Sequence, residues 1–300
     1  MTKIELHLFY KKNLLLLLTL FLLIPSQIIS QTSNKWYVKK NASGNNSGSS
    51  WINAWIELDQ INWSLISAGD TIFISGGTSN LVYNTTLTVN KTGQPSKFIV
   101  ITKGADGDNN GEVIIDGQGS LSSGIVFNKT SEGGLSYIKV KDITLVNHTS
   151  SVLVRQLTNV IYLENLKIRG QRGQGAIFIN GYNSNNNYNL IDSIFVKNCD
   201  IKSDYQTVAQ TDNIYVQYAN NVFILNNTIE QLNTVGTQHN DCIQTTWYLG
   251  NQTIANNKLY NAKENDSQGI MLHTSLAGHE TNVFNNVIYS GGNGTALFEH

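Results

Sequence analysis

Between Gly236 and Gly250 the chain reads GTQHNDCIQTTWYLG, which places His239, Asp241 and Cys242 within four positions. A histidine two residues from an aspartate has the makings of a general base held by an orienting carboxylate. Asp212 precedes Ile214 by two residues, as Asp241 precedes Ile243. A repeat that aligns the two isoleucines therefore stacks both carboxyls one strand apart, about 5 Å. Close carboxyls raise one pKa unless a cation such as Ca2+ neutralises the pair, which makes Asp212 and Asp241 candidate metal ligands. The same separation suits retaining glycoside hydrolysis. A ladder of aspartates that only accepts backbone N–H groups at a turn would also place them there. Zinc is disfavoured: His239, Asp241, Cys242 and His273 lack a recognised metal-site spacing, and adjacent strand residues face opposite ways.

The elements that position these groups repeat along the chain. VKDITL, LENLKI, VKNCDI, ILNNTI, IANNKL and VFNNVI share a turn position at Asp142, Asn165, Asn198, Asn226, Asn256 and Asn285, with steps of 23, 33, 28, 30 and 29 residues. A second strand family, GIVF, SVLV, AIFI, NIYV, CIQT, GIML and TALF, aligns Ile125, Val152, Ile177, Ile214, Ile243, Ile270 and Ala296 with steps of 27, 25, 37, 29, 27 and 26. Two strand ladders stepping together, with no helical period between them, specify an all-β solenoid, a parallel β-helix. The fixed leucine pattern of leucine-rich repeats is absent.

Alternation along a strand then makes the outward positions readable. One column runs Asn128, Arg155, Asn180, Gln217, Thr246, His273 and Glu299; its neighbour runs Val126, Leu153, Phe178, Tyr215, Gln244, Met271 and Leu297. Seven rungs give a shallow strip about 30 Å long. Its amides and hydroxyls suit sugar hydroxyls, and its rings suit sugar faces. Gln244, Thr246, Gln217, Tyr215 and Glu299 are the candidate substrate contacts, with water-facing polarity as the plain alternative.

Lys11 and Lys12 precede the apolar run LLLLLTLFLLI, residues 14–24, and Ser30 follows. This is the pattern of a secretory signal peptide, and the run is too short for an ordinary membrane span. Cleavage near Ser30 and export are expected, with no stable membrane insertion afterwards. Net charge is -1 and charged residues make up 14%, which offers no basic face to nucleic acid. Cys199 and Cys242 are too few for a disulfide framework and read as unpaired buried thiols. The expected organisation is a signal peptide over 1–30, a first strand and capping helix over 31–78, and coils over 79–300. Trp51, Trp55, Leu58, Ile61 and Leu65 recur at helical spacing and supply that cap. The chain stops at GTALFEH inside a strand of the second ladder, which reads as a fragment whose later coils lie elsewhere.

The stretch WYVKKNASGNNSGSSWINAWIELDQINWSLISAGDTIFISGGT, residues 36–78, followed by Asn-rich coils such as NVFILNNTIEQ, resembles secreted bacterial right-handed parallel β-helix proteins of the polysaccharide-lyase, pectate-lyase-like type. The resemblance covers essentially the whole chain after the leader. It implies a monomer acting on an acidic polysaccharide by β-elimination, with a cation at the acid pair to bind the uronate carboxylate. Proteins of that type generally abstract the proton with Lys or Arg. Here Arg155 is the only cation in the outward polar column, Arg169 and Arg172 lie near its rim, and no Lys falls beside Asp241. His239 and His273 are therefore the alternative bases. A glycoside hydrolase using Asp241 with Asp212 or Glu299, and a non-catalytic adhesive β-helix, complete the alternatives.

Overall fold

The computed structural model describes residues 33–127, 134–155, 157–182, 191–236, 239–247, 249–262, 267–273, 277–290 and 297–299, the last group and Ser290 by backbone alone. The leader expected over 1–30 lies outside the described residues. Three all-parallel sheets stack in coil order. Among the described residues sheet A has nine strands, from Lys35–Val38 to Thr281–Phe284; sheet B has eight, from Asn80–Tyr83 to Val287–Ser290; sheet C has eight, from Leu87–Val89 to Leu297–Glu299. One coil visits the sheets in turn, as Ile191–Lys197 in A, Asp200–Ser203 in B and Ile214–Gln217 in C. The architecture is the parallel β-helix that the two strand ladders specify.

The corner from sheet A to sheet B turns on one residue in the left-handed region. Asp142, Asn165, Asn198, Asn226, Asn256 and Asn285 occupy it with φ of 53–61°. Short polar side chains tolerate that conformation because they bond locally to the backbone. The next position changes character along the stack. Ile143, Leu166 and Cys199 fill it with buried apolar groups; Asn227 and Asn257 follow, also buried. There a side-chain ladder takes over: Asn227 Oδ1 accepts the Cys199 N–H at 2.8 Å, and Asn257 Oδ1 accepts the Asn227 N–H at 2.9 Å. Cys199 and Cys242 are both free and buried. The long strands of sheet A also carry a left-handed residue at Tyr137, Val160, Ser193 and Asn221. Pairing skips it, as Asn159 meets Asp192 and Ile161 meets Ile194, in the manner of a bulge.

The core is a set of inward columns. Ile125, Val152, Ile177, Ile214, Ile243 and Ile270 pair rung to rung in sheet C and are fully buried. The expected last rung is displaced by one residue: Ile270 pairs with Leu297 rather than Ala296. A one-residue slip exchanges the two faces of a strand, so Glu299 pairs with Leu272 and leaves the column it was expected to share with His273.

The expected capping helix is a second departure. Residues 49–70 form bends around one 3-10 turn, Leu58–Gln60, with no α-helix. The edge strand Lys35–Val38 captures the segment's backbone: Trp55 N–H donates to Tyr37 O at 2.9 Å, and Lys39 N–H donates to Trp55 O at 2.8 Å. Those groups serve the sheet edge and are unavailable to a helix. Trp55 is buried and stacks on Trp36 with centroids 5.5 Å apart. Ile66, not Leu65, turns into the core, because the segment does not follow helical spacing.

Candidate functional site

The corner that leads from sheet B into sheet C places the acidic residues. On successive coils, Asp212 Oδ1 accepts the Asp241 N–H at 2.8 Å, and Asp241 Oδ1 accepts the Gln268 N–H at 2.6 Å. A parallel ladder beside it joins Asn240 Oδ1 to the Thr211 N–H and Ser267 Oγ to the Asn240 N–H, each at 2.9 Å. The turn-ladder role therefore exists, and it uses one oxygen of each carboxyl. The other oxygens look elsewhere: Gln210 Nε2 donates to Asp212 Oδ2 at 2.9 Å, and His239 Nδ1 lies 3.2 Å from Asp241 Oδ2. Asp212 and Asp241 are fully buried, whereas the His239 side chain keeps 34% of its surface in solvent.

Electrostatics divides the pair. Burial first, and then the negative charge of Asp241, push the Asp212 carboxyl up to about 8. The raised Asp212 carboxyl favours its protonated form at neutral pH, beside the Asp241 carboxyl that His239 faces. The buried Asp241 carboxyl meets Nδ1 of a partly exposed imidazole and so can orient that ring.

Register in sheet C pairs the outward residues over part of the two expected columns, and Asn128 lies outside the described residues. Phe178, Tyr215, Gln244 and Met271 pair in one, and Arg155, Asn180, Gln217 and Thr246 in the other. The centre of the strip is buried, however, where a shallow strip of substrate contacts is expected. Tyr215, Gln244 and Thr246 are only 5%, 4% and 3% exposed. The polar ends of Tyr215 and Thr246 are bonded with Gln217: Thr246 Oγ1 donates to Tyr215 Oη at 3.0 Å, and Gln217 Nε2 donates to both Tyr215 Oη and Thr246 Oγ1. Burial raises the Tyr215 phenol above its ordinary pKa. Phe178 stacks flat on Tyr215 at 5.2 Å.

Other expected residues disperse. Arg155 sits three rungs from Thr246, about 14 Å along the sheet, and does not join the cluster. Arg169 is held by the Asp200 carboxylate at 2.5 Å, and Arg172 lies over the Tyr205 ring at 4.5 Å. His273 stacks on Trp247 with centroids 6.2 Å apart. Gln210 is the residue sequence reasoning missed. Its Nε2 bridges Asp212 Oδ2 and Gln244 Oε1, both at 2.9 Å, and so links the acid pair to the strip. Only its place two residues before Asp212 hinted at this. Two open clefts, of about 470 and 200 Å³, lie elsewhere, one beside Glu112 and Asp142 and the other beside Glu230 and Tyr260.

One ligand atom each from Asp212, His239 and Asp241 lies within 4.8 Å of the others, a grouping that can hold a metal ion. The donor set fits Ca2+ poorly. Ca2+ takes six to eight oxygens, whereas each carboxyl here has one oxygen on a backbone N–H and the third group is an imidazole. One nitrogen with two carboxylates is the set of a smaller transition ion.

No protein-family model matches the chain, and no curated protein matches it in sequence. Similar solved structures include the GH136 lacto-N-biosidase from Eubacterium ramulus, at 12% identity, TM-score 0.45, covering 89% of this chain and 68% of that one. The alginate lyase from Paenibacillus sp. str. FPU-7 aligns at 8% identity and TM-score 0.42, over 81% of this chain and 97% of that one. The pectate lyase Pel9A aligns at 14% identity and TM-score 0.42, over 88% of this chain and 78% of that one. Among the described residues no helix is long and apolar enough to cross a membrane.

Proposed function

We propose that the chain is an exported, carbohydrate-active enzyme that cleaves an acidic polysaccharide by β-elimination. The observation that carries the reading is the contact of His239 Nδ1 with Asp241 Oδ2 at 3.2 Å, between a partly exposed imidazole and a fully buried carboxylate. In this mechanism Nδ1–H donates to Asp241, and Nε2 removes the proton on the carbon next to the uronate carboxyl. The released electron pair forms the ring double bond and expels the glycosidic oxygen, which takes a proton from water. Asp241 orients the base and stabilises the imidazolium. Neutral Asp212 spares the site a second buried anion beside an acidic substrate. No step runs through Ca2+.

Hydrolysis has one feature in its favour, the closeness of two carboxyls of which burial and the neighbouring charge raise Asp212. Their complete burial, and the backbone bonds on both, favour His239 as the group that meets substrate. Incubation with alginate, polygalacturonate and chondroitin sulfate separates the readings. Ultraviolet-absorbing unsaturated ends support elimination; new reducing ends without that absorbance support hydrolysis. Binding with neither product supports an adhesive role.

A further inference from the structure

Sheet C passes the chain to sheet A through a corner where one residue takes the left-handed backbone. Leu157, Tyr218 and Trp247 occupy it with φ of 56°, 51° and 59°. The corner between sheets A and B fills the same kind of position with Asp or Asn throughout the six coils aligned above. Large side chains are disfavoured there, because their Cβ crowds the following carbonyl. Trp247 is nonetheless 56% exposed, so core packing does not account for it. It stacks on His273 from the next coil at 6.2 Å, with the rings 28° apart. On the other side, the Tyr218 N–H donates to the Trp247 carbonyl at 2.9 Å, and the Tyr218 ring lies 5.5 Å from that of Tyr182, itself 42% exposed. Four rings on four successive coils thus follow one margin of sheet C.

We infer that Tyr182, Tyr218, Trp247 and His273 form a rail on which the pyranose rings of a polysaccharide stack. The apolar C–H face of a sugar pairs with an aromatic ring, and Trp247 and Tyr182 are the most exposed of the four. The inference rests on the proposed glycan class but not on the chemistry of His239. The acid pair lies just before strand Ile243–Thr246 and the rail just after it, so the length of that strand, about 13 Å, lies between them. The rail therefore anchors polymer away from the bond that is cleaved. Affinity for long chains should depend on it, while turnover of short fragments should not.

Affinity electrophoresis through gels containing alginate, polygalacturonate or chondroitin sulfate tests the rail with wild type, Trp247→Asn, Tyr182→Ser and His239→Ala. Wild type and His239→Ala are expected to be retarded equally by at least one polymer. Trp247→Asn should bind that polymer about tenfold more weakly, equivalent to about 1.4 kcal/mol, and Tyr182→Ser should also bind it more weakly. Because Asn suits the left-handed backbone, Trp247→Asn should melt at the wild-type temperature or about 2–4 °C above it. Retardation of His239→Ala where wild type forms no unsaturated product supports the rail and sinks the elimination reading. Equal retardation of Trp247→Asn and wild type, a lowered melting temperature in that variant, or wild-type product formation with no retardation overturns the rail.

Discussion

Asp212 accepts the backbone N–H of Asp241 through Oδ1 at 2.8 Å, while both carboxyl groups are sealed from water. One contact thus serves the turn and brings the two acids together. It also explains how a buried carboxyl is tolerated, since Asp212 stays neutral and still accepts a hydrogen bond.

That neutrality sets a pH dependence. An acid raised to about 8 binds its proton more tightly when folded than when unfolded. Its contribution to stability is full below the unfolded pKa, about 4, and is lost as pH rises toward 8. Asp212→Asn removes the titration and keeps an oxygen for the Asp241 N–H. Relative to wild type, the variant should gain about 2–4 °C or more in melting temperature between about pH 5 and pH 8. A difference that stays constant across that range contradicts the assignment.

The donor set around Asp241 predicts the response to chelation. Elimination by His239 should survive EGTA within about twofold, since no Ca2+ is needed to orient the base. Loss of activity with EGTA and its return with added Ca2+ would show that the corner opens to bind the ion.

His148 supplies an opposite pH effect on an earlier coil. It is fully buried, and neither ring nitrogen has a partner among the described residues. Gly117 and Gly124 make room for it, because a Cβ on either would lie 2.7 or 2.9 Å from an imidazole carbon. Burial pushes its pKa down to about 4, with nearby Asp116 opposing. Its stability contribution is full above about 6.5 and is lost as pH falls toward 4. His148→Leu should match or exceed wild-type stability at about pH 7, because it removes two buried unpaired nitrogens. Its advantage should grow on acidification, and an equal acid sensitivity in the two melting curves would refute this.

The solenoid was legible in the sequence because each coil repeats its apolar column and its turn residue, and Asp142 through Asn285 mark the left-handed corner without exception. The closeness of Asp212 and Asp241 followed from the same register. The last rung was not legible: Ala296 and Leu297 are both apolar, and a one-residue slip decided where Glu299 falls. The cap misled because Trp51, Trp55 and Leu58 have helical spacing, while an open sheet edge competes for the same backbone groups. Spacing also says nothing of what covers an outward column, so the closure over Tyr215, Gln244 and Thr246 had no sequence signal. Gln210 was missed because its partners lie on its own coil and the next, across a long corner.

The most direct test of the account compares His239→Ala and Asp241→Asn with wild type for the rate of unsaturated-product formation and for melting temperature. Asn at 241 retains an oxygen for the Gln268 N–H but gives the imidazole no charge. Wild type should release ultraviolet-absorbing ends from at least one acidic polysaccharide. Both variants should lose about a hundredfold or more of that rate, the scale of a removed general base, and should melt within about 4 °C of wild type. Undiminished elimination by His239→Ala, or wild type that yields reducing ends without unsaturation, would contradict the assignment of His239 as the base.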